Sequence, residues 1–394
     1  MPDIVILAAG KGSRIRSKTP KVLHVLGGKT ILEHVLDVAE NIVSCDRGKI
    51  FVVTGYCSQL VDPVVRKRGH QIVNQPEQLG TGHALFQALN QIHENTNVLV
   101  MCGDVPLIKS KSLLNLCEVS GDGISILTTQ VDDPLGYGRV IRDSRGSISE
   151  IVEEIDASCE HRKIKEINTG FYCAKVKTWG KLLPNIVRSK QTGELYLTDC
   201  IKLAYMKTIP IVALNGSKNH ILGVNTRQQL SMLENLYQIN KRKELLDAGV
   251  TLLAPETLYI FGEISVGMDS IIEPNVMFLG KVSIGESCII ETGCRIEDSV
   301  IGDEVTILSH SRLESAKISS QACIGPYARL RPGSKILEGA KIGNFVEIKS
   351  TEIGEKSKIN HLSYIGDSVV GKRVNVGAGV ITCNYDGSSK HATK

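Results

Sequence analysis

A chain of 394 residues is long enough for two or three domains at roughly 150 residues each. Its 46 Lys and Arg against 42 Asp and Glu leave a net charge of +4, which gives no electrostatic argument for a nucleic-acid or membrane partner. With 42% hydrophobic and 22% charged residues, wholesale disorder is excluded, and no apolar run approaches the roughly 18 residues a membrane span needs.

The first segment, MPDIVILAAG, lacks a basic leader and runs straight into a strand pattern, so no signal peptide is expected. Eleven cysteines with no C-x-x-C pair read as reduced structural thiols in a cytoplasmic enzyme, not as a disulfide or zinc framework. In chain order, Ile4 to Ala8 predicts a strand and Ile31 to Ala39 a helix. Ile50 to Thr54 predicts a strand, Gly82 to Ile92 a helix, and Asn97 to Cys102 and Ile124 to Thr128 two further strands. This alternation argues for an α/β domain with a mostly parallel, Rossmann-like sheet over residues 1–225. Residues 226–248, free of Pro and Gly, read as one connecting helix.

From residue 249 the texture changes. Aliphatic residues recur every six positions at Val266, Ile272, Phe278, Ile284, Ile290 and Ile296. After a one-residue slip the series resumes at Ile301, Ile307 and Leu313. It slips again and runs Ile318, Ile324, Leu330, Ile336, Ile342 and Ile348, then Ile353, Ile359 and Ile365, then Val370 and Val376. A period of six fits neither a helix nor a hairpin. It is the hexapeptide signature of a left-handed parallel β-helix, expected over 249–394. A β-sandwich with accidental spacing is the competing reading, and so many matches argue against it.

The turn after the first strand, Leu7-Ala8-Ala9-Gly10-Lys11-Gly12-Ser13-Arg14, is followed by Pro20-Lys21. It has neither Walker A nor G-x-G-x-x-G spacing, and a Gly-rich turn can be no more than a tight turn. Arg14 and Lys21, two cations in one short segment able to face one anion, favour a phosphate loop.

LAAGKGSRI followed by PKVL resembles the signature of the sugar-1-phosphate nucleotidyltransferases. The similarity continues through Gln75, EQLGTGHA, CGDVPL, GYGRV, IVEEIDA, EINTG, GELYLTD and GVNT. With the hexapeptide half it covers the whole chain and resembles the bacterial bifunctional N-acetylglucosamine-1-phosphate uridylyltransferase and glucosamine-1-phosphate acetyltransferase family. The resemblance implies UTP, N-acetylglucosamine 1-phosphate, glucosamine 1-phosphate and acetyl-CoA as substrates, and Mg²⁺ as cofactor. It implies Arg14 and Lys21 as catalytic cations, with Leu7, Ala8, Ala9, Gly10, Cys102 and Gly103 lining the nucleotide site. Gln75, Gly80 and Thr81 would meet the uracil edge. Asp104 and Asn225 would share the metal: a lone Asp at a strand end reads first as a turn residue, and its pairing with the GVN segment favours the metal. Gly138, Glu153 and Asn168 would hold the sugar. Cys102 departs from the family, where an aromatic residue precedes Gly-Asp.

In the coil, RLRPG, GNFVEIK, HLSYIGD and NVGAGVITCNYDG carry the second resemblance. It implies His361 as the acetyl-transfer base, oriented by Glu347. Arg331 and Lys349 would form a phosphate clamp, with Lys390 a further substrate-side cation, Tyr364 and Asn375 would be sugar contacts, and Ala378, Asn384 and Tyr385 acetyl-CoA contacts. A homotrimer with the acetyl site between subunits is also implied. Family members continue with further coils past the equivalent of Lys394, so an incomplete thioester site is expected. Three alternatives stand beside the bifunctional enzyme: a uridylyltransferase with the coil as trimerisation scaffold, a related thymidylyl- or adenylyltransferase, and a non-catalytic regulator like certain translation-factor subunits.

Overall fold

The computed structural model of the chain describes residues 2–43 and 48–393. Of the eleven cysteines, Cys45 lies outside the described residues, and the other ten are free thiols. The chain divides into two compact units: residues 1–25 with 30–233, and residues 26–29 with 234–394. Among the described residues no helix is long and apolar enough to cross a membrane.

The first unit opens with β1 (Asp3–Leu7), α1 (Ile31–Val43) and β2 (Ile50–Thr54). Helix α1 starts at a capping box: Thr30 N donates to Glu33 Oε2 at 2.8 Å, and Glu33 N donates back to Thr30 Oγ1 at 3.2 Å. The helix runs past the predicted Ala39 because Ile42 continues the 3.6-residue stripe formed by Val35, Leu36 and Ala39. There follow α2 (Ser58–Lys67), β3 (Gln71–Asn74), α3 (Thr81–Leu89) and β4 (Asn97–Cys102). Then come α4 (Ser110–Glu118), β5 (Ile124–Gln130), β6 (Arg139–Arg142) and β7 (Ile148–Val152). The unit continues with β8 (Glu166–Lys175), α5 (Val176–Leu182), α6 (Asp199–Met206) and β9 (Ile211–Asn215).

The sheet runs β9-β5-β8-β4-β1-β2-β3, with β6 beside β8 and β7 beside β6. Pairing is parallel except around β8, which is antiparallel to β4, β5 and β6, and between β6 and β7. Residues Ile50 to Thr54 of β2 are all buried, as a strand covered on both faces requires. Strands β2 and β4 flank β1 on opposite sides, so the strand order reverses at β1 and opens a crevice beyond its C-terminal end. The turns carrying Ala8 to Gly10 and Gly103 to Asp104 both start there.

Helix α7 spans Arg227–Asp247, and the division between the units falls inside it. The second unit is a parallel β-helix. Its rungs stack in register, with Ile290 on Ile307 on Ile324 on Ile342 on Ile359 on Val376. Of the hexapeptide positions, those from Val266 to Ile365 are buried, while Val370 and Val376 are half-buried. One column of corners puts non-glycine residues in the left-handed region: His310 at φ 59°, Tyr327 at 54° and Phe345 at 57°. Their rings stack at centroid distances of 5.1 and 5.5 Å.

A buried rung should cost far more to truncate than a half-buried one. Ile342→Ala is expected to lower unfolding free energy by about 3 kcal/mol, and Val376→Ala by under about 1 kcal/mol, in urea denaturation of the intact chain. Equal losses would contradict a solid, stacked interior.

Candidate functional site

The crevice of the first unit holds two adjoining clefts. Leu7, Ala8, Ala9, Gly10, Lys21, Gln75, Gly80 and Thr81 line one of about 280 Å³, together with Cys102 and Asp104. Gly138, Glu153, Asn168 and Asn225 line the other, of about 190 Å³, again with Leu7, Thr81, Cys102 and Asp104. Most of the nucleotide- and sugar-site residues expected from the sequence therefore face one or both clefts. Gly103 lines neither cleft; its N–H donates to Leu7 O at 3.0 Å and ties the end of β4 to β1.

Four polar groups converge where the clefts meet. Lys21 Nζ is ion-paired to Asp104 Oδ2 and donates to Asn225 Oδ1 at 3.1 Å. Arg14 Nη2 reaches the same Asn225 oxygen at 3.0 Å. Local chemistry explains the convergence. Gly12 takes φ +60°, and a Cβ there would stand 2.7 Å from Lys21 Cβ, so only glycine lets the loop fold over Lys21. Val224 N donates to Asp104 O at 2.9 Å, which sets Asn225 beside Asp104. Gln229 Oε1 then accepts from Asn225 N at 2.8 Å and Thr226 N at 3.1 Å, while Thr226 Oγ1 caps Gln229 N at 3.1 Å.

The Asp104 and Asn225 oxygens already share one cationic partner in Lys21, so an all-oxygen donor pair for a hard divalent ion is in place. Among the described residues no group of three or more His, Cys, Asp or Glu is placed to hold a metal.

In the second cleft, Glu153 is held up by burial, which disfavours its charged form, against the opposing effect of Thr198 Oγ1 donating to Glu153 Oε1 at 2.9 Å. Asn168 N donates to Gly138 O at 2.9 Å, and Asn168 Oδ1 accepts from Gly170 N at 3.1 Å. A register shift in the pairing of β8 with β5 falls between Asn168 and Tyr172. Cys102 fills the space beside this shift: its Sγ lies 3.4 Å from Gly170 O, and burial pushes its thiol well up. Thr198 and Tyr137 also line this cleft. The sequence reading assigned them no role, although both lie in quoted motifs, GELYLTD and GYGRV.

In the second unit, Lys349 Nζ pairs with Asp367 Oδ2 at 3.0 Å, and Lys390 is held below its ordinary value by the neighbouring Lys349 ammonium. Arg331 adds a third positive charge that also acts on Lys390. His361 is not oriented by Glu347. Glu347 pairs with Arg331 at 2.9 Å and Arg329 at 3.8 Å, whereas His361 Nδ1 meets Asn344 Oδ1 at 2.7 Å. Asn344 and His361 are register partners on adjacent rungs, a relation the coil repeat contained. An amide oxygen can only accept, so Nδ1 carries the proton and Nε2 is the basic nitrogen. Tyr364 lies over Gly366, where an added Cβ would stand 2.5 Å from its hydroxyl. Asn384 is buried, donating to Gly366 O and Asp367 Oδ2, both at 2.8 Å. Asn375, Ala378 and Tyr385 are exposed, and Tyr385 donates its hydroxyl to Gly387 O at 2.7 Å.

A crevice at the strand-order reversal, a glycine-rich turn with two cations, and an opposed carboxylate and amide define the first unit as a nucleotidyltransferase-type α/β domain, joined in this chain to a parallel β-helix. Residues 4–164 match the model of the MobA-like NTP transferase domain. The bifunctional protein GlmU of Paraburkholderia phymatum is 44% identical over 393 residues, covering 99% of this chain and 86% of that protein. The chain belongs to the bifunctional GlmU family. A crystal structure assigned as a glucose-1-phosphate thymidylyltransferase from Bacillus anthracis, in complex with a sucrose, shares 22% identity and a TM-score of 0.48. That likeness covers 59% of this chain and 94% of the other.

Glu153 gives a pH signature. A carboxyl raised in the folded state contributes most stability below the ordinary range of about 4.3, and the contribution is lost as pH rises through the raised value. Glu153→Gln should therefore match the parent near that acid range and melt higher at neutral pH, read as the midpoint temperature of both proteins across a pH series.

Proposed function

We propose that UTP enters the cleft lined by Ala8, Lys21, Gln75 and Gly80, while N-acetylglucosamine 1-phosphate enters the cleft lined by Gly138, Glu153 and Asn168. As a member of its family, the chain is an enzyme of UDP-N-acetylglucosamine synthesis. It transfers acetyl from acetyl-CoA to glucosamine 1-phosphate, and uridylyl from UTP to N-acetylglucosamine 1-phosphate with release of pyrophosphate. The observation that carries the residue assignment is the meeting of Lys21, Arg14, Asp104 and Asn225 where the two clefts join.

The attacking sugar-phosphate oxygen is ionised near neutral pH, so uridylyl transfer needs placement and charge neutralisation more than a base. Lys21 and Arg14 supply positive charge at the junction, where the α-phosphate and the leaving pyrophosphate would lie. Asp104 and Asn225 would hold Mg²⁺, which when bound adds Lewis-acid neutralisation of phosphate oxygens. Glu153, kept in place by Thr198, and Asn168 offer acceptors and donors to sugar hydroxyls and the N-acetyl group.

For acetyl transfer, Asn344 fixes the His361 tautomer so that Nε2 takes the proton from the attacking amine. The Arg331, Lys349 and Lys390 cluster receives the sugar phosphate, with Tyr364 and Asn375 beside the ring. Ala378 and Tyr385 contact acetyl-CoA, and Asn384 fixes the Gly366-Asp367 turn beneath them. The assembly is a homotrimer about the coil, working in the cytoplasm where UTP and acetyl-CoA are supplied.

Two assays test these roles. Asp104→Asn should lower pyrophosphate release from UTP and N-acetylglucosamine 1-phosphate by about 100-fold or more, without changing thiol release from acetyl-CoA and glucosamine 1-phosphate. His361→Ala should do the reverse, lowering thiol release by about 100-fold or more. Unchanged pyrophosphate release in Asp104→Asn would refute the first assignment, and unchanged thiol release in His361→Ala the second.

A further inference from the structure

Gln75 is almost fully buried, at 3% exposure, yet it lines the cleft assigned to UTP. Its backbone is pinned on both sides: Gln75 N donates to Thr54 O at 2.8 Å, and Gln75 O accepts from Gln78 Nε2 at 3.1 Å. Its side-chain amide is pinned too. Nε2 donates to Gly80 O at 3.1 Å and stands 3.0 Å from His83 Nδ1. The backbone carbonyl of Gly80 can only accept, which identifies this end of the amide as the NH₂ group.

The rest follows from valence. An amide NH₂ has two hydrogens and no acceptor, so one serves Gly80 O and the other serves His83 Nδ1. Nδ1 must then be the unprotonated nitrogen, and the proton sits on Nε2. That nitrogen lies 3.0 Å from Gln87 Nε2, one helical turn on, so this tautomer requires the Gln87 amide to be turned over, its oxygen accepting the His83 Nε2 hydrogen. Both hydrogens of Gln75 are consumed, so Oε1 is what this side chain offers a ligand.

His83 itself lies outside the cleft that Gln75 lines, beside Phe86, Ile186 and Leu195. Its contact with that cleft runs through the Gln75 amide. The segment between them is fixed. Gly80 takes φ +103° where a Cβ would stand 2.6 Å from Leu195 O, Gly82 N donates to that oxygen at 2.9 Å, and Thr81 Oγ1 accepts from Leu197 N at 3.0 Å.

We propose that His83 is a positioning residue for base selection: with Gly80 it locks the Gln75 amide so that Oε1 faces the base and accepts the N3–H of uracil. Cytosine has a lone pair at N3, and a locked oxygen repels it. An unlocked amide could rotate and offer NH₂ to cytosine instead. This inference rests on UTP entering the cleft that Gln75 lines, as proposed above, with Gln75 at the uracil edge as the family resemblance implies.

The test compares steady-state pyrophosphate release with UTP and with CTP for the full chain and three variants. Gln75→Leu should abolish most of the UTP preference. His83→Leu, which suits the apolar surroundings but cannot accept a hydrogen bond, should cut the UTP-over-CTP ratio of kcat/KM about tenfold, mainly through a higher KM for UTP. His83→Asn, whose Oδ1 can stand in for Nδ1, should restore the ratio to within about threefold of the parent. If Gln75→Leu leaves the ratio unchanged, Gln75 does not meet the base and both readings fall. If Gln75→Leu collapses the ratio but His83→Leu does not, or if His83→Asn is no better than His83→Leu, only the role of His83 is overturned.

Discussion

Two oxygens, one on Asp104 and one on Asn225, are held facing each other by the ammonium of Lys21. Bringing a carboxylate and a carbonyl dipole together without a cation is unfavourable, and the cost grows where water is scarce. Much of the first unit's local structure can be understood as keeping that arrangement in place. The loop bends at Gly12 to admit Lys21, the backbone bond from Val224 to Asp104 draws two distant segments together, and the Thr226–Gln229 cap fixes the residue between them. A site organised around excess positive charge suits phosphates, and the sheet places it at the reversal of strand order where ligands gather.

The second unit obeys a different constraint. Its stability comes from like on like: an aliphatic side chain every sixth residue, stacked over its counterpart on the next rung. Functional groups are then free to occupy the outer positions. Register alone brings Asn344 onto His361, and Glu347 onto Arg329 and Tyr364. The polar site is thus an accessory of a scaffold whose interior is indifferent to it.

Much of this was legible in the sequence, for physical reasons that differ by element. The hexapeptide period is a direct imprint of the coil, and β2 and β4 are apolar runs bounded by polar turns. Antiparallel β8 was not legible, because an apolar strand reads the same in either direction. Helix α1 was cut short because Glu40 and Asn41 interrupt the apolar run even though Ile42 resumes its face. In the site, Lys21 and Asp104 could be named from their motifs. The bond from Thr198 to Glu153 could not, since only the folded sheet makes them neighbours. His361 was named, but its partner required counting rungs rather than following the motif to Glu347.

The corners of the coil hold a further consequence. From Asp269 to Arg373, non-glycine side chains repeatedly occupy left-handed backbone, each at a cost of about 1 kcal/mol. At Tyr327 and Phe345 the ring stacking offsets part of that cost. At Glu304, Gln321, Lys356 and Arg373 no such stack is formed. Those corners are a reserve for thermostabilising the scaffold: Asn or Gly fits their backbone with less strain, and exchange there leaves the buried rungs and the reactive groups untouched.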